Sequence, residues 1–178
     1  LGEIIKYGII YDAQFFQYLE DNIEQVASLA NEAAAHMTAR SCEIKADVVS
    51  QDEKELGLRA ILNFGHTAAH AIEKNTGYTK YNHGEAVAIG MVCAAYISKS
   101  LGMVDQSVVD RVISLILKLH LPIKAQGCTV EDLYRDIFHD KKTVGGKVKW
   151  ILMESIGQVC GNSNVPEDIV KGAMEKIV

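Results

Sequence analysis

Prolines are nearly absent, only two in 178 residues, so little in the chain breaks helices. Cysteines are also few: Cys42, Cys93, Cys128 and Cys160 lie far apart with no C-x-x-C spacing. That argues against a disulfide framework and a cysteine-rich zinc site, and it fits a reducing cytoplasm. There is no run of apolar residues long enough to span a bilayer and no basic-then-apolar leader, so we expect neither a membrane partner nor a signal peptide. Positive charge is in deficit, with 18 Lys and Arg against 23 Asp and Glu and a net charge of −5. Without a basic stripe, nucleic acid is not expected as a partner. A small anionic substrate remains compatible, because a few local cations outweigh a distant net charge. No G-x-G-x-x-G follows a strand pattern, so nothing here is expected to cradle a dinucleotide. An initiating methionine is missing too, and Leu1 stands inside a helix-like pattern, as in a piece of something longer.

What is present is helix. The chain is 48% hydrophobic, enough for a real core in one domain or two small ones. Apolar residues recur at helical spacing over residues 1–10, 22–50, about 55–74 and 107–119. Asp12 is placed to cap a helix through Leu19, and Gly77 to stop the one before it. Residues 84–100 are apolar nearly all round, as in a buried central helix. A further short helix fits 130–138. Residues 147–153 alternate, then turn at Ile156-Gly157 into 158–160, which reads as a small hairpin. Pro166 marks the start of a last helix. The expected fold is mainly α, a bundle-like helical domain with one small β-hairpin.

Three of the six histidines fall close together. His66 and His70 stand at i, i+4, on one face of a helix, and His83 opens the next apolar helix. Neutral imidazoles suit zinc-like metals, so these three are the first candidates for ligands. The spacer Thr67-Ala68-Ala69 lacks the glutamate of an H-E-x-x-H metalloprotease, which disfavours that chemistry. Glu55, Arg59, Asn63 and His66 continue the same face upstream. Such a row is usually a solvated salt-bridge face, yet an asparagine and two histidines are odd choices for one. Glu3 with Lys6, and Lys141 with Lys142, are ambiguous alone. His36, His120 and His139 read as ordinary surface or capping residues.

Taken together, EIIKYG (3–8), GLRAILNFGHTAAHAIE (57–73), HGEAVAIGM (83–91) and HDKK (139–142) closely resemble the 3-dehydroquinate synthase family, in the family's order. The resemblance is to its C-terminal, mainly helical half. It implies that residues 1–178 are a single metal- and substrate-binding domain, and that the N-terminal NAD-binding α/β domain is not in this chain. It implies zinc or cobalt held by Glu3, His66 and His83, which moves His70 from ligand to acid/base group, with Glu55 as a second proton-handling residue. Lys6, Lys45, Arg59, Asn63 and Lys141 (or Lys142) would bind the substrate. That substrate would be DAHP, a seven-carbon sugar acid phosphate, converted to 3-dehydroquinate and phosphate in the shikimate pathway by way of a transient oxidation by NAD. A homodimer is implied as well. The isolated piece is expected to lack cyclase activity while keeping its metal site. Two departures stand out: Ala68-Ala69 where many relatives carry Phe-Gly, and Gly2 where they usually carry Ala or Ser, an exchange expected to be mild. Rival readings are a valiolone- or inosose-type sugar phosphate cyclase, an iron-dependent alcohol or glycerol dehydrogenase, and a non-catalytic helical metal-binding module.

Overall fold

The computed structural model describes residues 1–54, 57–140 and 148–178. Its order is α1 (Gly2–Ile10), α2 (Ala13–Asp21), α3 (Ile23–Ala27), α4 (Asn31–Gln51), a 3-10 helix (Leu58–Asn63), α5 (His66–Asn75), α6 (His83–Ser100), α7 (Gln106–Lys118), α8 (Val130–Asp140), β1 (Trp150–Ser155), β2 (Gln158–Asn162) and α9 (Glu167–Met174). The mainly helical expectation with one hairpin is met. The two strands pair antiparallel, and Gly157 at φ +92° turns the hairpin.

The core is arranged around α6. Ala86 to Ala95, Ile97 and Ser98 are all buried, and α6 packs against α1, α5, α7, α9 and β1. This is why its sequence is apolar all round. Its start is fixed by a reciprocal cap: Asn82 Oδ1 accepts from Glu85 N at 3.0 Å, and Glu85 Oε2 accepts from Asn82 N at 2.9 Å. β1 is buried through Trp150–Met153 because α6 covers it, and Ser98 Oγ accepts from Met153 N at 2.8 Å. Among the described residues no helix is long and apolar enough to cross a membrane.

Two expected helices are each broken once. Residues 22–50 divide into α3 and α4. Ser28 Oγ donates to Glu24 O at 2.7 Å, Leu29 takes φ +53°, and Ala30 N returns to Gln25 O at 2.9 Å. That is a helix stop with leucine where glycine is usual. The apolar period hides it because Val26 before the break and Ala33 after it both reach the core. Residues 55–74 divide at Phe64-Gly65. Asp52 Oδ2 accepts from Gly57 N at 2.8 Å and Arg59 N at 2.9 Å and so starts the 3-10 helix. Phe64 then plunges into the core, and Gly65 at φ +79° turns the chain into α5. Arg59 and Asn63 therefore do not share a continuous helical face with His66.

Asp12 caps α2 as expected, accepting from Gln14 N at 3.0 Å and Phe15 N at 2.9 Å, while Arg40 of α4 grips its other oxygen at 2.7 Å. Burial pushes this carboxyl up, but the Phe15 N–H and the Arg40 guanidinium outweigh it and hold it below 3.8. A depressed acid stabilises the fold above its unfolded pKa and loses that contribution as pH falls through its folded value. Asp12→Ala should cost ~0.5–2 kcal/mol in urea unfolding at neutral pH. The gap to wild type should close as the pH drops below 3.8.

Candidate metal centre

Three separate elements deliver one side chain each to a common point. Glu3 lies in the first turn of α1, and His66 and His83 are the first residues of α5 and α6. One ligand atom from each lies within 4.8 Å of the others. Glu3 Oε1 stands 3.4 Å from His66 Nε2 and 3.7 Å from His83 Nε2. A tetrahedral ion with bonds of about 2.1 Å separates its ligand atoms by about 3.4 Å.

Glycines set these distances. A Cβ on Gly2 would lie 2.1 Å from Gly84 O, so α1 seats against the start of α6 only because Gly2 has none. The exchange at Gly2 expected to be mild is thus not neutral here. A Cβ on Gly90 would lie 2.0 Å from Gly65 O, and one on Gly65 would press Met91 N and Val87 O at 2.9 and 3.0 Å. The start of α5 therefore rests directly on the middle of α6.

The hydrogen bonds around the cluster leave lone pairs facing its centre. His66 Nδ1 meets Phe64 O at 3.1 Å. A carbonyl only accepts, so the proton is assigned to Nδ1 and the Nε2 lone pair points at Glu3. His83 Nδ1 meets Glu73 Oε1 at 3.0 Å, with the same consequence for its Nε2. Among the described residues, Glu3 Oε1 itself is buried without a hydrogen-bond partner. A buried carboxylate oxygen facing two imidazole lone pairs is unfavourable unless something electrophilic lies between them. The donor set fits a zinc-like divalent ion, which takes imidazole nitrogen and carboxylate oxygen.

The electrostatics agree. Burial pushes Glu3 up, but Lys6 chiefly, then His66 and His83, more than offset this and hold it below 4.5. Burial, reinforced by the Lys6 charge, lowers the His66 imidazole from its ordinary value against the Phe64 carbonyl and so favours its neutral form. Lys6 is 3% exposed, with its Nζ 2.7 Å from Glu3 Oε2. Burial and nearby Lys45 lower its pKa, and Glu3 opposes them.

The other expected site residues surround this point or fall outside the described residues. His70 does not join the three ligand atoms; its exposed ring lies 5.8 Å from that of His66 at 84°. Of the three histidines close in sequence, His66 and His83 come together with Glu3, while His70 sits one turn further along α5. Lys45 is exposed on α4, within electrostatic range of Lys6. Arg59 donates to Glu53 O at 3.3 Å, and Asn63 ends the 3-10 helix, exposed. Glu55, Lys141 and Lys142, and the side chains of His139 and Asp140, lie outside the described residues. His36 and His120 are surface residues, as expected; the His36 ring lies 4.4 Å from that of Tyr18. Sequence reasoning missed Glu73. Its signal was a carboxylate beside apolar Ala71 and Ile72, at i+7 from His66 and i+3 from His70, hence on the same helical face.

The family description "3-dehydroquinate synthase C-terminal" matches residues 1–143. A 3-dehydroquinate synthase of Shewanella sp. (strain MR-4) is 46% identical over 172 residues, covering 96% of this chain and 48% of the relative. One of Synechocystis sp. (strain ATCC 27184 / PCC 6803 / Kazusa) is 47% identical over 177 residues, covering 98% and 49%. The chain thus spans about half the length of the curated relatives it matches. Among solved structures, 2-epi-5-epi-valiolone synthase from Streptomyces hygroscopicus subsp. jinggangensis 5008, with NAD+ and Zn2+ bound, superimposes with a TM-score of 0.83 at 23% identity, covering 98% of this chain and 49% of that one. A 2-deoxy-scyllo-inosose synthase complexed with carbaglucose-6-phosphate, NAD+ and Co2+ gives 0.76 at 21% identity, covering 99% and 51%. At such identities these two speak for the fold alone. With the fold, the motifs and the family match in agreement, the chain belongs to the 3-dehydroquinate synthase C-terminal family.

Proposed function

We propose that this chain is the metal- and substrate-holding half of a 3-dehydroquinate synthase, a lyase that converts DAHP to 3-dehydroquinate and phosphate with transient use of NAD. In this reading residues 1–178 form one domain, and the NAD-binding half belongs to the same enzyme outside these residues. The observation that carries it is the meeting of Glu3, His66 and His83, delivered by three elements from distant parts of the chain. Family membership supports the reading.

Glu3, His66 and His83 would hold zinc or cobalt, and the ion would make a coordinated substrate hydroxyl more acidic. Three protein ligands leave coordination positions for substrate oxygens. Lys6, buried beside Glu3, and Lys45, exposed on α4, bring positive charge that would attract an anionic carboxylate or phosphate, and Arg59 and Asn63 add donors on the 3-10 helix. Lys141 completes that set. His70, exposed one turn from His66, would act as the acid/base group on bound substrate, with Glu55 as the second proton carrier. A homodimer and a cytoplasmic setting come with the family resemblance. Four free cysteines fit the second, and burial pushes the Cys93 thiol up to about 12, so it stays inert.

Identity of 46% to one 3-dehydroquinate synthase and 47% to another, against 21% and 23% to the other cyclases, supports DAHP as substrate. A phosphate-release assay tests this. The full-length protein, supplied with zinc, NAD and DAHP, should release phosphate, and the 178-residue chain alone should not. Release from other sugar phosphates but not from DAHP would contradict the substrate. Turnover by the chain alone would contradict the division of labour.

A further inference from the structure

The two histidines of the centre are held in different ways. His66 is oriented by the main chain, through the Phe64 carbonyl at 3.1 Å. Among the described residues His83 has no such main-chain anchor. Its side chain is 50% exposed at the very start of α6, and its Nδ1 contact is the carboxylate of Glu73 at 3.0 Å. Glu73 is the opposite kind of group, with a side chain only 11% exposed.

Glu73 is in turn well fixed. It lies near the end of α5, where its carbonyl accepts from Tyr78 N at 2.8 Å and Thr76 Oγ1 at 3.3 Å. The next two residues clasp Asp136 of α8, Lys74 at 3.1 Å and Asn75 at 2.6 Å. A buried carboxylate is costly unless it is paired and hydrogen-bonded. His83 supplies the pairing, and the rigid carboxylate aims the ring in return.

We infer that Glu73 is a positioning residue of the metal centre. It fixes His83 as the Nδ1–H tautomer and turns its Nε2 lone pair toward Glu3 and His66. This rests on the reading of those three residues as ligands. Carboxylates behind metal-bound histidines orient the ring and raise its basicity, and their loss typically costs ~10–100-fold in metal affinity. The alternative is a buried acid whose only task is to satisfy the fold.

The test titrates Co2+ into the full wild-type chain and into Glu73→Gln and Glu73→Ala, following the visible absorption bands and the dissociation constant. Glu73→Ala should bind roughly 10–100-fold more weakly, with altered bands. Glu73→Gln, whose amide oxygen still accepts from Nδ1–H, should recover most of the loss. Wild-type affinity and bands in Glu73→Ala would overturn the inference, as would a glutamine variant no better than alanine. A second measurement needs no variant: nitrogen-15 spectra of the metal-free wild-type chain should show His83 as the Nδ1–H tautomer, and an Nε2–H tautomer would overturn the inference. If wild type itself takes up no Co2+, the ligand reading fails first and this inference falls with it. That outcome is distinct from wild-type binding that Glu73→Ala leaves unchanged.

Discussion

His66→Ala should abolish stoichiometric zinc binding, whereas His70→Ala should retain it. The two imidazoles are one helical turn apart, yet only the first has its Nε2 within 3.4 Å of Glu3 Oε1. Removing His66 deletes one of the three proposed ligands and leaves Glu3 Oε1 facing a gap. The loss should exceed the roughly 10–100-fold typical of residues that merely support a ligand. His70 is exposed and outside the cluster, so its removal should reduce turnover of the full-length enzyme without reducing metal content. Elemental analysis of the two purified variants after gel filtration reads the difference directly. Equal metal loss in both would reject the separation of ligand from acid/base group.

Gly90→Ala should destabilise the fold far more than its single methyl suggests. The new Cβ would stand 2.0 Å from Gly65 O, a backbone atom that cannot swing aside. Either α5 lifts off α6 or the chain strains, and overpacking of this kind costs ~1–3 kcal/mol or more. Because Gly65 immediately precedes His66, the same shift should also pull this proposed ligand out of place and weaken metal binding. Gly172→Ala is the control. It lies inside α9 with nothing among the described residues within 4 Å of the added atom. There the ordinary helix preference for alanine applies, a gain of ~0.5–1 kcal/mol. Urea unfolding of both variants should show opposite signs. Equal effects would mean that helix propensity, not the contact between α5 and α6, governs Gly90.

Much of this was readable from the residues, for identifiable reasons. α6 could be found because burial on every side demands an apolar sequence on every side. Asp12 could be found because a cap needs only local geometry. The breaks at Leu29 and Gly65 were hidden because the apolar spacing on either side stays in phase with the core. At Gly65 the glycine itself was a signal within NFGH, and the close seat against Gly90 explains it. The 62 residues between Glu3 and His66 carry no local pattern that joins them, so Glu3 became a ligand candidate through the family resemblance and not through spacing. Glu73 was missed because its partner lies ten residues away, across the turn that ends α5. The Gly2–Gly84 contact was also out of reach, because a close approach between distant backbones leaves no mark on either neighbouring sequence.

The most direct measurement is a crystal structure of the zinc-loaded chain with anomalous data collected at the zinc edge. The zinc peak should lie about 2.0–2.2 Å from Glu3 Oε1, His66 Nε2 and His83 Nε2 together, with Glu73 still on His83 Nδ1. A peak that omits any of the three ligands, or that uses His70 in place of one of them, would contradict the metal centre.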